Sequence, residues 1–492
     1  MSTSVSPGRA PASAAAEPSS LGLRKRSLPF REVFAQSLAG TGPSGSLAFG
    51  PALVFASAGH GTWISYVLSL VSLLLVGWAF AVFGTRLASA GSMYTMVAEG
   101  LGPIIGVLIA WACVVAYTVI AMVVIAGSGQ FFGQFLVVLG WGGADSTAFQ
   151  VLLALLIGGA AVTLALRDVK VSMRAALTLE VISIVAITAV LLATVAKHGL
   201  VDKAQFELDG VTLHGVVLGM VLALTGYVGF ESAASLGQES DNPRRAVPRA
   251  IRINVLSCGT YFIIGSYVYI LGFDKMGIDI TQSAAPLNDL AKGAGVSFLR
   301  YVIDLGIAIG FIAVTVAALT AVSRILFNMS REGLVPRALG KVDETHRVPK
   351  TTLLVVGVFV TATVVVSQIA GLTPVDILGY YGSIATYGFI VAYLVVSLAA
   401  AGYLRRLGEL KPVHLVPSLL GALAMGTVLY YSVHPVPDYP FNIFPYVFLG
   451  LLVPGMIAFF VLRARRPEMA AAVGTLSEGL HPDTDQPVNH PA

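Results

Sequence analysis

The sequence predicts an all-α integral membrane fold of twelve transmembrane helices, with the first and the sixth broken at mid-depth. Of 492 residues, 56% are hydrophobic and only 11% are charged, less than half the ~25% charged share of a soluble chain. Twelve apolar runs are each long enough to cross a bilayer, which takes ~20 residues as a helix. Glycine and proline crowd into the first of these runs, and glycines recur in the sixth, five spans on. The 52 glycines and 24 prolines follow no Gly-X-Y period, and the apolar share is too high for disorder, which removes the collagenous and low-complexity classes.

The runs lie at 32–58, 63–84, 102–126, 149–166 and 176–196, then at 211–236, 253–271, 298–327, 352–370 and 378–404, with a final pair at 415–433 and 443–462. Residues 127–140, with Phe131, Phe132 and Phe135, are too short for a thirteenth span and read as an extension of the third helix or an interfacial segment. The polar stretches 1–28 and 467–492 read as disordered tails around a membrane domain at 29–466. With the N-terminus placed inside, 25 of the 30 Lys and Arg fall on the cytoplasmic side and 5 outside. That bias predicts a multi-pass protein of the cell membrane with both termini cytoplasmic.

A net charge of +4, dispersed along the chain, gives no footprint for nucleic acid. Cys113 and Cys258 sit in different spans, and the histidines lack ligand spacing, so neither a disulfide framework nor a metal site is expected. No cofactor fingerprint, His-Glu-x-x-His pair or nucleophile beside a histidine occurs, and the chain is not read as an enzyme. The expected partners are the lipid bilayer and a small-molecule substrate; nothing in the sequence speaks to oligomeric state.

The first break is expected in the string Gly40-Thr-Gly-Pro-Ser-Gly-Ser46, where helix propensity is poor. The sixth span carries Gly226 and Gly229 around Tyr227, followed at once by Glu231. Because five is odd, the chain enters spans one and six from opposite sides, so the two breaks hold matching places in two inverted halves. That pattern belongs to secondary transporters with a site at the bilayer midplane. The outgoing half-helix, expected to begin near Ser46, would offer amide N–H groups to a carboxylate, and the half-helices ending near Thr41 and Gly226 would offer carbonyls to an ammonium. The candidate binding residues are Thr41, Gly42, Ser44, Gly45, Ser46, Tyr227, Gly229 and Phe230.

The string Gly229-Phe-Glu-Ser-Ala-Ala-Ser-Leu-Gly-Gln-Glu-Ser-Asp-Asn-Pro-Arg-Arg-Ala-Val-Pro-Arg-Ala-Ile251 resembles the sixth-helix and following-loop motif of the amino acid, polyamine and organocation transporter superfamily. Ser89-Ala-Gly-Ser-Met-Tyr94 and Arg331-Glu-Gly-Leu-Val-Pro336 resemble two supporting motifs in the expected order. The resemblance implies five-plus-five inverted repeats, here 32–196 and 211–404, with two extra helices at 415–462, and transport of amino acids or related amines. Two departures stand out: Pro43 lies within the first break, and Thr225 stands where some members place a gating tryptophan.

Three ionisable residues inside spans are candidates for coupling or gating. Glu231 would open the inner half of the sixth span, between a structural contact and a role in proton coupling. Glu180 has Arg174 near in sequence as a partner, and Asp304 could pair with Arg300 or attract a cationic substrate. Thr315, Thr320 and Ser323 form no adjacent hydroxyl pair for sodium, and the fifth span holds no lysine, so proton symport is the expectation. An exchanger, or a transporter-like sensor or channel, remains the alternative.

Overall fold

The computed structural model describes residues 28–88, 93–144, 146–167, 169–237, 239–283, 285–343, 348–471 and 478–479. The first apolar run folds as α1 (Phe30–Thr41) and α2 (Pro43–Ala58), and the second as α3 (Thr62–Gly84). A two-residue strand β1 (Leu87–Ala88) and a short helix α4 (Met93–Leu101) precede α5 (Pro103–Val138), α6 (Thr147–Ala165) and α7 (Val169–His198). After α8 (Lys203–Glu207), the sixth run is α9 (Leu213–Thr225) and a 3-10 helix, Phe230–Leu236. There follow α10 (Pro243–Met276), α11 (Pro286–Gly293), α12 (Leu299–Arg331), α13 (Lys350–Ile369), α14 (Pro374–Arg406), α15 (Pro412–Tyr431), α16 (Phe444–Arg465) and α17 (Pro467–Ala471).

Eleven stretches among the described residues are long and apolar enough to cross a membrane, and the first, Phe30–Gly84, contains α1, α2 and α3. The protein is therefore an all-helical, multi-pass membrane protein. Its outer helices present large apolar side chains outward, such as Leu419 and Leu423 on α15 and Ile457 and Phe460 on α16, as a surface facing lipid requires. Inside, α5 runs along α12 and α14, and α1 is enclosed by α7, α10, α12 and the 3-10 helix.

Several expectations change. Residues 127–138 extend the third helix: α5 has 36 residues, ~54 Å at 1.5 Å per residue, against ~30 Å of hydrocarbon. The first break is one residue, not the whole string 40–46, because Pro43 needs no N–H at the first helical position and its φ suits the helix. The stretch Arg244–Arg252, expected as a basic loop, is the start of α10, where the Asn242 side chain accepts the Arg245 N–H and Pro243 follows.

Of the expected N-terminal tail, residues 1–27 lie outside the described residues, whereas Leu28 is fully buried and pairs with Ser240 in a parallel bridge. The expected C-terminal tail departs from disorder at α17 and at strand β2 (Glu478–Gly479), which pairs antiparallel with β1; its residues 472–477 and 480–492 lie outside the described residues, as does the Ser89–Ser92 part of the second motif.

Candidate functional site

Gly42 makes the first break. Its φ of 56° is left-handed, which glycine adopts without a Cβ penalty. Its N–H caps α1 by donating to Leu38 O at 3.0 Å, and its carbonyl accepts the Ser46 N–H at 3.0 Å. The outgoing half-helix therefore starts at Pro43 rather than near Ser46, and the Ser46 amide is already used. Pro43 has no N–H. The Ser44 N–H donates to Glu180 Oε1 at 2.8 Å, so a carboxylate of the protein itself sits on the first turn of α2. Among the described residues, Gly45 N–H is the first-turn amide without a protein acceptor.

Glu180 reaches this place from α7 and is 2% exposed. Its expected partner was Arg174, whose side chain lies outside the described residues; the contact found is the Ser44 amide, 136 positions away in the chain. Gly310 on α12 leaves room for it, since a Cβ there would lie 3.1 Å from Glu180 Oε2. Beside it, a Cβ on Gly45 would overlap the Phe311 ring, and one on Gly127 would lie 2.8 Å from the same ring. Phe311 is thus seated on two glycines, one from α2 and one from α5.

The second break faces the first. Gly226 is close enough to Ser46 that a Cβ would fall 3.3 Å from the Ser46 Cβ, and Gly229, with φ of 102°, rests on the backbone of Gly40. Ser37 Oγ donates to Phe230 O at 2.6 Å and Ser232 Oγ to Gln36 O at 3.0 Å, lacing α1 to the 3-10 helix. Asn254 on α10, which the sequence reading missed, donates from Nδ2 to Ser37 O, Ser37 Oγ and Thr41 Oγ1 at 3.0, 3.0 and 2.8 Å. A polar residue buried in an apolar span was the available signal.

Thr41, Gly42, Ser44, Gly45, Ser46 and Glu180 therefore come together around one break, with the Gly229 backbone against its other side. The side chains of Tyr227 and Phe230 point elsewhere. Tyr227 Oη donates to Tyr66 O at 3.3 Å and packs on Phe262, while Phe230 packs between Phe80 and Tyr393.

Glu231 is fully buried and fully engaged. It accepts from Tyr117 Oη on α5 and Tyr393 Oη on α14, both at 2.6 Å, and from Gly229 N–H at 3.1 Å. Three donors on one carboxylate tie the second break to α5 and α14. Asp304, 1% exposed, takes both bonds from Asn288 Nδ2 of α11, at 3.1 and 2.9 Å; the charge of Arg300 acts on it without a hydrogen bond, while Arg300 Nε donates to Ser297 O. It lies six residues from Gly310, ~9 Å along the α12 axis, and lines a separate cavity.

At the end of the molecule where α1 begins, Arg324 Nε and Nη2 meet Glu239 Oε1 at 2.7 and 2.6 Å, both residues nearly fully buried. Leu28 N–H donates to Glu239 O, and Asp241 N–H to Leu28 O, at 2.9 Å each. Ion pair and bridge together join α12, the segment 239–241 and the chain leading into α1. Arg324 stands inside the apolar run 298–327 of the sequence, a setting that the sequence reading did not take up.

A helical membrane protein with two apposed helix breaks matches one family over most of its length: the family model described as amino acid permease covers residues 32–432. The chain belongs to the amino acid permease family. Similar proteins include the branched-chain amino acid permease BcaP of Bacillus subtilis (strain 168), 26% identical over 360 residues, covering 70% of this chain and 73% of that protein. The methylthioribose transporter of the same organism is 25% identical over 389 residues, with 77% and 79% covered. The cationic amino acid transporter 3, mitochondrial, of Arabidopsis thaliana is 24% identical over 361 residues, with 68% and 56% covered.

Proposed function

We propose that this permease carries a zwitterionic amino acid, or a close amine analogue, across the cell membrane by alternating access, as a proton symporter. The observation that carries the reading is Glu180 on the Ser44 amide: the first turn of α2 already holds a carboxylate, the group that a helix N-terminus favours. An amino acid carboxylate takes the same place, with the free Gly45 N–H beside it, once Glu180 is protonated and gives up the Ser44 amide. Binding and protonation are then linked without any buried unpaired charge. Thr41, Gly42 and Ser46, with the backbone of Tyr227, Gly229 and Phe230, frame the ammonium side. Glu180 takes the coupling role, and Glu231 the structural one.

The seat of Phe311 beside Gly45 supports an apolar substrate side chain, in keeping with the relative named for branched-chain amino acids. Matched broken helices support inverted repeats at 32–196 and 211–404 with extra helices at 415–462, and the basic-residue bias supports cytoplasmic termini. In that orientation the Arg324–Glu239 end faces the cytoplasm.

Counterflow in sealed proteoliposomes tests the carrier reading. Labelled substrate should accumulate against an unlabelled internal pool for a member of an amino acid and amine panel, with alkalinisation of the medium on net uptake. A full panel without exchange would refute it, and uptake without proton movement would refute symport.

A further inference from the structure

Along α10, Arg245, Arg249, Arg252, Leu256, Thr260 and Ile264 follow one another three or four residues apart, and all six are exposed. They form one face of the helix. Its later part is apolar, with Leu256 43% and Ile264 56% exposed, as contact with lipid requires. Its first part is three arginines. Arg252 stands one residue before the apolar run 253–271, and Arg245 lies seven residues further back, ~10 Å along the axis. The headgroup region adds about 5–8 Å to each side of the hydrocarbon, so these guanidinium groups fall at the depth of lipid phosphates.

The three cations are not spent within the protein. Among the described residues, Arg245, Arg249 and Arg252 take part in no ion pair. Of the acids on neighbouring segments, Glu239 is held by Arg324, Glu32 is buried, and Asp241 has a partner of its own, as does Arg244. Arg249 lies over the Phe30 ring of α1, 5.0 Å from its centroid, and Phe30 stacks on Phe34 at 6.0 Å. An arginine seated on a ring keeps its N–H edge free for a phosphate, which its planar fork matches. We infer that this face is a docking site for a phospholipid with an anionic headgroup, its phosphate on Arg249 and Arg252 and its acyl chains along Leu256 and Ile264. The occupant is a lipid and not free phosphate, because the arginines run without interruption into exposed apolar surface. Asn254, two residues past Arg252, holds Ser37 and Thr41 beside the first break, so a bound lipid steadies the helix that braces that break. The leaflet, the cytoplasmic one, rests on the orientation proposed above; recognition of the lipid does not.

The test is thermal unfolding of the purified, delipidated full-length protein in detergent, titrated with dioleoylphosphatidylglycerol, with dioleoylphosphatidylcholine and inorganic phosphate as controls. Phosphatidylglycerol should raise the melting temperature saturably, as a ligand of the folded state does, and neither control should. Arg249→Gln with Arg252→Gln should weaken the lipid roughly tenfold or more. Arg245→Gln with Arg252→Gln, which leaves the Phe30 contact in place, should weaken it as well and serves if the first pair does not fold. Arg463→Gln with Arg465→Gln removes the same charge from the exposed end of α16 and should leave the affinity at the wild-type value. An equal shift with phosphatidylcholine, a shift with millimolar inorganic phosphate, or unchanged affinity in a folded α10 pair would overturn the inference; so would an equal loss in the α16 pair, which would reduce the effect to overall charge.

Discussion

Glu180→Gln isolates the competition between the protein's carboxylate and a substrate's. The hydrogen bond from Ser44 N–H to Glu180 Oε1 is 2.8 Å, and glutamine can accept it with little change in shape. What it loses is charge. A hydrogen bond to a charged group contributes about 1.5–3 kcal/mol against about 0.5–1.5 for a neutral one, and a negative charge at a helix N-terminus adds about 0.3–1 kcal/mol. The anion is therefore held more firmly by about 2 kcal/mol, roughly thirty-fold in a competition constant. In the wild type, an amino acid should bind best at low pH, where Glu180 is protonated, and lose affinity as rising pH ionises it. In Glu180→Gln, affinity should stay near the low-pH wild-type value across pH 5–8, a gain of up to about thirty-fold at the alkaline end. Accumulation driven by a pH gradient should vanish while counterflow continues. The assay is substrate affinity and gradient-driven uptake against pH in both proteins. A variant that keeps the wild-type pH slope would refute the reasoning.

Other consequences follow from the same geometry. Gly45→Ala should press on the Phe311 ring and cost about 1–3 kcal/mol in stability, and Gly45→Ala with Phe311→Leu should recover most of it; additive losses in melting temperature would show that the two do not touch. Tyr117→Phe or Tyr393→Phe should each cost about 1–3 kcal/mol by leaving the buried Glu231 carboxylate a donor short, with the pH dependence of uptake unchanged; a shifted pH profile would return Glu231 to a coupling role. Arg324→Met should cost about 3–5 kcal/mol by stranding Glu239, and adding Glu239→Leu should restore stability in part, as thermal unfolding in detergent would measure.

The apolar runs located the membrane helices because each long run must satisfy its backbone internally, and α3, α6, α13, α15 and α16 lie within a few residues of expectation. The first break was legible from glycine and proline, the second from glycine. Their extent was not, because Pro43 reads as a breaker in composition yet starts a helix when it follows a capping Gly42. The same chemistry at Asn242-Pro243 turned an expected loop into the first turns of α10. Of the site, the unusual carboxylates stood out by their setting in apolar runs, but their partners did not. Glu180 meets an amide of α2, Glu231 two tyrosines of α5 and α14, and Asp304 an asparagine of α11. Each partner depends on how separate helices pack, which local periodicity does not encode. Sequence proximity pointed instead to Arg174 and Arg300.

The central claim is that a substrate carboxylate replaces Glu180 on the first turn of α2. It is tested most directly by counterflow KM between pH 5 and 8, measured for the best-carried amino acid of the panel and for its decarboxylated amine. The amino acid KM should rise with pH, and the amine KM, having no carboxylate to compete with Glu180, should stay flat. Parallel pH profiles for the two compounds would contradict the claim.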